Sequence, residues 1–235
     1  MNLLLLPRGS VDADGRAHVV GDAVAHVRRV LGKGVGDDLK VGEREGRIGR
    51  AVIESLDDHG LRLRCTLDTD PPPKLPVTLV LALPRPPVLR RVLQHATTMG
   101  VGRIVLCNAA RVEKSYWGSP ALLPDEIDAQ LRLGLEQGRD TVAPSIEQRP
   151  RLRPFVEDEL AHAAIPRRWL ADGDGRTPVP CDVREPSIVA IGPEGGWVDF
   201  ERELFAAAGF TAVTLGVRPL RVETAVVAVL ARLAV

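Results

Sequence analysis

The sequence predicts an α/β protein in two parts, a small β-barrel over residues 1–70 and a parallel sheet covered by helices over residues 77–235. Three observations carry this. Short apolar runs separated by glycine and aspartate turns fill the first part, a spacing that suits a small barrel. Strand-like and helix-like runs then alternate to the C-terminus, the pattern of a parallel sheet with helices on both faces. Between the two, Pro71-Pro72-Pro73-Lys74-Leu75-Pro76 reads as a stiff extended linker over residues 71–76, because proline fixes φ and supplies no backbone donor.

The elements follow in order. Asp22 is a candidate cap for a helix carrying Ala23, Val24, Val27, Val30 and Leu31 on one apolar face. Beyond the glycine-rich turn Gly32–Gly36, strands are expected at Leu39–Val41, Ile48–Leu56 and Leu61–Leu67, broken by Gly46 and by Asp57–Gly60. In the second part Val77–Leu83 is a continuous apolar strand, followed by a helix from about Pro87 to Met99 that stops at Gly100. A strand at Ile104–Cys107 precedes a long helix from about Pro124 to Gln137, and Phe155–Ala164 reads as helical. Arg168–Ala171 is a candidate strand, and Ser187–Ile191 reads as a buried strand. Asp199 is placed to cap a helix reaching Ala208, Ala212–Leu215 is a strand, and Val222–Ala234 is the last helix.

Composition narrows the function classes. Hydrophobic residues make up 45% of the chain but aromatics only 3%, so aliphatic side chains must fill the interior. The 31 basic and 31 acidic residues cancel, so any nucleic-acid contact has to come from local clusters such as Arg28-Arg29, Arg90-Arg91 or Arg149, Arg151 and Arg153. Cys65, Cys107 and Cys181 are far apart with no CxxC spacing, and are expected to be buried thiols in a reducing compartment. His18, His26, His59, His95 and His162 show no ligand spacing, so no metal is expected. The apolar start from Met1 to Leu6 is short and lacks a basic flank, and no later run approaches a membrane span; a cytoplasmic protein is expected.

Two loops have the composition of a ligand site. Gly192-Pro193-Glu194-Gly195-Gly196 follows the strand ending at Ile191, where open α/β sheets bind ligands outside the carboxyl ends of their strands. Glycine lets backbone amides approach a ligand closely, although a plain strand-to-helix turn has the same composition. Leu215-Gly216-Val217-Arg218-Pro219-Leu220-Arg221-Val222-Glu223-Thr224-Ala225 sets two arginines and a glutamate in an apolar stretch at a helix start. Taken singly, it equally suits a glutamate serving the helix terminus beside solvated arginines.

In this order, GPEGGW and then LGxRxLRxETA resemble the C-terminal pattern of the uracil-N3 ribosomal RNA methyltransferases, a family of the SPOUT superfamily. Ala25-His26-Val27-Arg28-Arg29-Val30-Leu31 with Gly36-Asp37 is similar to that family's N-terminal PUA-like, RNA-binding domain. Leu93-Gln94-His95-Ala96-Thr97-Thr98-Met99-Gly100-Val101 and the pair Glu136-Gln137 also match in place. The chain departs from the family at several positions. His95 stands for lysine, and Thr98-Met99 for glutamate-leucine. Gly138-Arg139-Asp140 stands for Ser-Gly-Arg, and Val217, Pro219 and Val222 for Pro, Ile and Thr.

The resemblance implies a deep trefoil knot in the C-terminal part and S-adenosyl-L-methionine bound in a bent shape. Its binding residues would be Gly192, Pro193, Glu194, Gly195, Gly196, Leu215, Gly216, Leu220, Thr224 and Ala225. It further implies methylation of N3 of a uridine in small-subunit (16S) ribosomal RNA, by a homodimer whose second subunit completes the site. Catalysis would fall to Arg218 or Arg221, stabilising the uracil anion, and to Glu223, orienting an arginine or accepting the proton. RNA would be met by His26, Arg28 and Arg29. N3 lies on the Watson–Crick edge, so the uridine must be unpaired or flipped out. A related enzyme acting on tRNA, and a non-catalytic RNA-binding protein on the same fold, are the competing readings. A nucleotide-phosphate enzyme would need GxxxxGK[ST] or an early GxGxxG, and the chain has neither.

Overall fold

The computed structural model describes residues 2–234; Met1 and Val235, the outer ends of the two expected parts, lie outside them. The chain forms two compact units. The first holds the described residues up to Pro73 together with Arg132–Ala143, and the second holds Lys74–Leu131 and the described residues from Pro144 onward.

In the first unit the strands are β1 (Leu4–Leu6), β2 (Arg16–Val19), β3 (Asp38–Glu43), β4 (Ile48–Asp57) and β5 (Gly60–Thr69), with helix α1 at Asp22–Arg29. They form one mixed sheet in the order β1-β3-β4-β5-β2, with β1 parallel to β3 and the remaining pairs antiparallel. The expected barrel is therefore a curled sheet whose outer strands, β1 and β2, do not pair with each other. Alternation explains its inside. Leu39 and Val41, Ala51 and Ile53, and Leu61, Leu63 and Cys65 point one way into a core that Val27 of α1 closes. Gly21, not Asp22, is the N-cap of α1, and Asp22 begins the helix.

All three residues of β1 are buried, so neither face alternates with water. Leu4 and Leu6 enter the sheet core, while Leu3 and Leu5 pack on Leu135 with Ile48 and Ala143 alongside. The partner on that second face is the distant segment Arg132–Ala143. It is tied down by Asn2 N–H to Glu136 O (3.2 Å), Glu45 N–H to Thr141 O (3.0 Å) and Thr141 Oγ1–H to Gly46 O (2.5 Å). A Cβ on Gly42 would stand 2.5 Å from Thr141 Cγ2, so the contact exists only because that position carries no side chain. Arg139, where the resembling family has glycine, adopts φ 55° in the turn that leads into Asp140 and Thr141.

The second unit begins with β6 at Leu75–Ala82, so Leu75 and Pro76 of the expected linker are already strand. Then come α2 (Pro86–Thr98), β7 (Val101–Cys107), α3 (Pro124–Gly138, its end grouped with the first unit), β8 (Ser145–Arg149) and α4 (Leu152–Pro154). The chain continues through a π-helical stretch at Phe155–Leu160, β9 (Arg167–Ala171), β10 (Thr177–Pro178), β11 (Ser187–Ile191), α5 (Asp199–Ala207), β12 (Thr211–Thr214) and α6 (Val222–Ala234). The seven strands run parallel in the order β10-β12-β9-β11-β6-β7-β8, flanked by helices. The central β11 is buried along its whole length, as both covered faces of a parallel sheet require.

Several expectations need correction. The helix expected over Phe155–Ala164 stops at Leu160 and is wound as a π-helix. Asp199 is the first residue of α5, not its cap. Glu201 reaches back instead, Oε2 accepting from Val198 N–H at 3.0 Å. The edge strand β8 (SIEQR) has no apolar run to announce it. Its charges are matched by Arg103 and Glu147 at 2.7 Å, and by Arg149 with Glu147 at 2.8 Å and Glu159 at 2.7 Å. Cys65 and Cys107 are buried but Cys181 is exposed, its Sγ 3.0 Å from Arg232 Nη2. Burial, aided by Glu43 and Asp12, pushes the Cys65 thiol up to about 11, so it stays protonated. No helix among the described residues is long and apolar enough to cross a membrane.

Candidate functional site

Because the strands run parallel, their carboxyl ends share one edge, and the loops leaving β9, β11 and β12 meet there. They enclose a cleft of about 870 Å³ in the second unit, together with the starts of α2 and α6. Ile191, Val213, Leu215 and Leu220 supply apolar wall beside charged side chains such as Arg85, Arg91 and Glu223, and a cavity of this size and mixed lining suits a small organic ligand.

The β11 loop is held from several sides. Gly196, at φ 72°, closes a turn by donating to Pro193 O at 2.8 Å. Arg111 donates through Nη1 to the Gly195 carbonyl, and Arg85 N–H donates to Glu194 Oε1 at 3.1 Å. Behind the loop Trp197 is buried against Phe205, ring centroids 5.0 Å apart and edge-to-face, and Phe205 packs likewise on Phe210. Buried Glu201 accepts from Ala110 N–H at 2.7 Å as well as from Val198, so one carboxylate joins the chain after β7 to the chain after β11.

The β12 loop is more open. Thr214 Oγ1 accepts from Gly216 N–H at 3.1 Å, and Gly216 takes φ 117°, which needs glycine. Val217, in this loop but outside the cleft lining, is 98% exposed and Leu220, in the lining, 43% exposed, so two apolar side chains of one loop stand in water. Arg218 and Arg221 both line the cleft and are exposed, and neither makes a direct ion pair among the described residues, although Arg221 lies near enough to Glu223 to act on its charge.

Glu223, in the first turn of α6, is only 15% exposed and accepts from Arg91 Nη2 of α2 at 3.0 Å. Its own backbone amide, then Arg91 and Arg221, hold the carboxyl below the usual carboxylate range against the opposing effect of burial. It is therefore a fixed anion, oriented by a helix start and a guanidinium. The arginine it meets directly is Arg91, not Arg218 or Arg221.

Of the residues singled out in the sequence, Gly192, Pro193, Glu194, Gly195, Gly196, Leu215, Gly216, Arg218, Leu220, Arg221, Glu223 and Ala225 gather around this one cleft. Thr224 is exposed and lies outside its lining. His26, Arg28 and Arg29 lie on α1 in the first unit. The Nε2 of His26 is buried without a partner, and Arg28 is 3.5 Å from Asp58. Sequence reasoning missed Arg85 and Arg91 as members of the cleft, and missed the third loop, Asp172-Gly173 after β9. The DGDG run at 172–175 was its only local sign. Asp172 is nearly buried and clamped by Arg202 Nε at 2.5 Å.

Residues 71–234 match the family model of the RNA methyltransferase domain, which places the cleft in an enzyme class. The chain is 31% identical over 206 residues to ribosomal RNA small subunit methyltransferase E of Treponema pallidum, covering 85% of this chain and 77% of that protein. It is 29% identical over 226 residues to the protein of the same name from Mycobacterium bovis, covering 91% and 84%. A crystal structure of ribosomal RNA small subunit methyltransferase E from Neisseria gonorrhoeae, bound to S-adenosyl methionine, shares the fold. Its TM-score is 0.73, at 23% identity, over 98% of this chain and 95% of that one. The chain belongs to the ribosomal RNA small subunit methyltransferase E family of RNA methyltransferases.

Proposed function

We propose that this chain transfers the methyl group of S-adenosyl-L-methionine to N3 of a uridine in small-subunit (16S) ribosomal RNA. The observation that carries the reading is the cleft itself. The two loops whose sequence resembles the family close on one cavity, and two exposed arginines outside any direct ion pair, Arg218 and Arg221, stand at it.

The donor set fits the cofactor. The amides of Glu194, Gly195, Val217 and Arg218 have no protein acceptor among the described residues, and Leu215 and Leu220 offer apolar surface to an adenosyl group. Gly192 to Gly196, Leu215, Gly216, Leu220 and Ala225 are the proposed binding residues, with Thr224 acting through its backbone at the start of α6. When bound, the cofactor supplies an electrophilic methyl group on a sulfonium; the protein's part is positioning and charge.

Uracil N3 must lose its proton to attack, and with Glu223 held ionised that proton leaves to solvent water. Arg218 and Arg221 are the cations that stabilise the resulting negative charge on O2 or O4. Glu223 is the orienting anion: its lowered pKa and its bond to Arg91 suit a residue that holds guanidinium groups in place better than one that takes up a proton. Residues 1–70, the larger part of the first unit, are the proposed PUA-like RNA-binding domain, joined by the proline-rich segment to a knotted SPOUT domain. The exposed Val217 and Leu220 of the β12 loop support a homodimer in which the second copy covers them. Location in the cytoplasm, with the ribosome, belongs to the same reading.

The test is transfer from labelled S-adenosylmethionine to small ribosomal subunits lacking the modification and to bulk tRNA, followed by nucleoside analysis. N3-methyluridine confined to the ribosomal RNA is the expected result, and label in tRNA alone would overturn the substrate. Arg221→Ala should lower turnover on the order of 10²-fold while leaving cofactor affinity intact. A variant with full turnover removes Arg221 from the mechanism. A monomer in light scattering at working concentration would rule out the shared site.

A further inference from the structure

The first unit carries a groove that the methyl-transfer reading does not use. Its floor is Leu3 and Ile48; Lys40, Arg50 and Arg139 line it, with Thr66 and Thr69. Register explains the alignment. Lys40 of β3 lies opposite Arg50 of β4, and Arg50 lies opposite Thr66 of β5, all on the face that alternates away from the core. Arg139 arrives from the segment docked beside β1. Its φ of 55° is a left-handed backbone that a non-glycine residue adopts at a cost, and it delivers an exposed guanidinium to this groove.

The charges are unequally spent. Arg50 is paired with Asp38, and Asp68, the one carboxylate in the lining, accepts from Thr69 Oγ1 at 3.0 Å. Lys40 and Arg139 have no carboxylate partner among the described residues. The α1 surface contrasts with this: Arg28 and Arg29 share their shallow pocket with Asp57 and Asp58, and Arg28 is paired with Asp58. In a protein of zero net charge, two unpaired cations at either side of a sheet groove form a local anion site, not an extension of a global field.

We propose that this groove binds the phosphodiester backbone of the substrate RNA, with Lys40 and Arg139 each contacting a phosphate, Thr66 offering a hydroxyl donor, and Ile48 apolar surface for a sugar. The inference rests on the RNA methyltransferase reading and adds a positioning surface for the same substrate. Phosphate contacts fix register and orientation on the nucleic acid and carry no sequence information.

The test uses the full chain with unmodified small-subunit ribosomal RNA. Removing both cations in Lys40→Gln/Arg139→Gly should lower the slope of log affinity against log salt by about 1.4 to 1.8. At 0.1 M salt that corresponds to roughly 40-fold weaker binding. Glycine suits φ 55°, so the variant should unfold at or above the wild-type temperature, which separates lost contact from lost fold. S-adenosylmethionine affinity should not change, and KM for RNA should rise more than kcat falls. A charge-matched control at two exposed arginines outside the groove lining, Arg8→Gln/Arg62→Gln, should shift affinity by less than threefold. An unchanged salt slope in the groove variant, or an equal loss in the control, overturns the groove while leaving the methyltransferase reading in place. A wild-type protein that neither binds nor methylates this RNA overturns both.

Discussion

Replacing Gly192 by alanine would place a methyl group 3.1 to 3.3 Å from Nε1, Cε2 and Cδ1 of Trp197. Carbon atoms pack best at about 3.5 to 4.0 Å, so ring or loop must yield by a few tenths of an ångström. The ring has nowhere to go: it is 1% exposed and wedged on Phe205, which is itself braced by Phe210. The loop therefore moves. Overpacking of this kind costs about 1–3 kcal/mol of stability. A displaced loop also aims its amides badly, and a loss of about 1.4 kcal/mol there is tenfold in affinity.

The assay is calorimetric titration of S-adenosylmethionine into the wild type and Gly192→Ala, with thermal unfolding measured alongside. The variant should bind about tenfold more weakly and melt lower. A second substitution, Trp197→Leu, should restore part of the affinity, because it removes the ring atoms that meet the new methyl group. It also deletes an indole N–H that is buried without a partner, which removes a desolvation penalty and offsets part of the lost packing. Gly192→Ala binding the cofactor like wild type would refute the placement of this loop in the site. A double variant as impaired as the single one would refute the steric cause.

The packing makes three further predictions. In a double-mutant cycle of Arg91→Met and Glu223→Gln, the coupling in stability should be about 0.5–1 kcal/mol, kept small because Arg91 is nearly half exposed; strict additivity would show that the 3.0 Å contact contributes nothing. The same carboxylate is held below its ordinary value of 4.5, so its contribution is fully present above that pH and is lost as pH falls through the lower folded value; wild type and Glu223→Gln should therefore converge in stability towards acid pH. Leu135→Ala, which removes the fully buried side chain packed on Leu3 and Leu5, should cost about 2–5 kcal/mol in urea unfolding, and a loss under 1 kcal/mol would mean that this face of β1 does not depend on Leu135.

The elements that local pattern could announce were legible. Ser187–Ile191 is a strand because five consecutive small and apolar residues have no polar face to offer water, and β11 is buried on both sides. Gly192 to Gly196 and Leu215 to Arg221 stood out because glycine, proline and arginine are improbable residues at the end of an apolar strand unless a turn or a ligand needs them. Where the local signal was weak or shared, reading failed. β8 hides behind charges that only its partners Arg103 and Glu159 neutralise, and Cys181 looks like any other thiol in an apolar stretch.

The sequence by itself determined the alternation that makes a parallel sheet, the two loops of the cleft and the family they resemble. All of these are encoded in runs of a dozen residues, where hydrophobic period and backbone chemistry act. The tertiary structure alone decided that Arg91 rather than Arg218 or Arg221 meets Glu223, that Asp172-Gly173 closes the cleft, and that Arg132–Ala143 covers the second face of β1. Each joins residues that are distant along the chain. No local propensity favours such a pair until packing of the apolar faces has brought its members together, and only then do a 3.0 Å ion pair or a missing Cβ at Gly42 have anything to act upon.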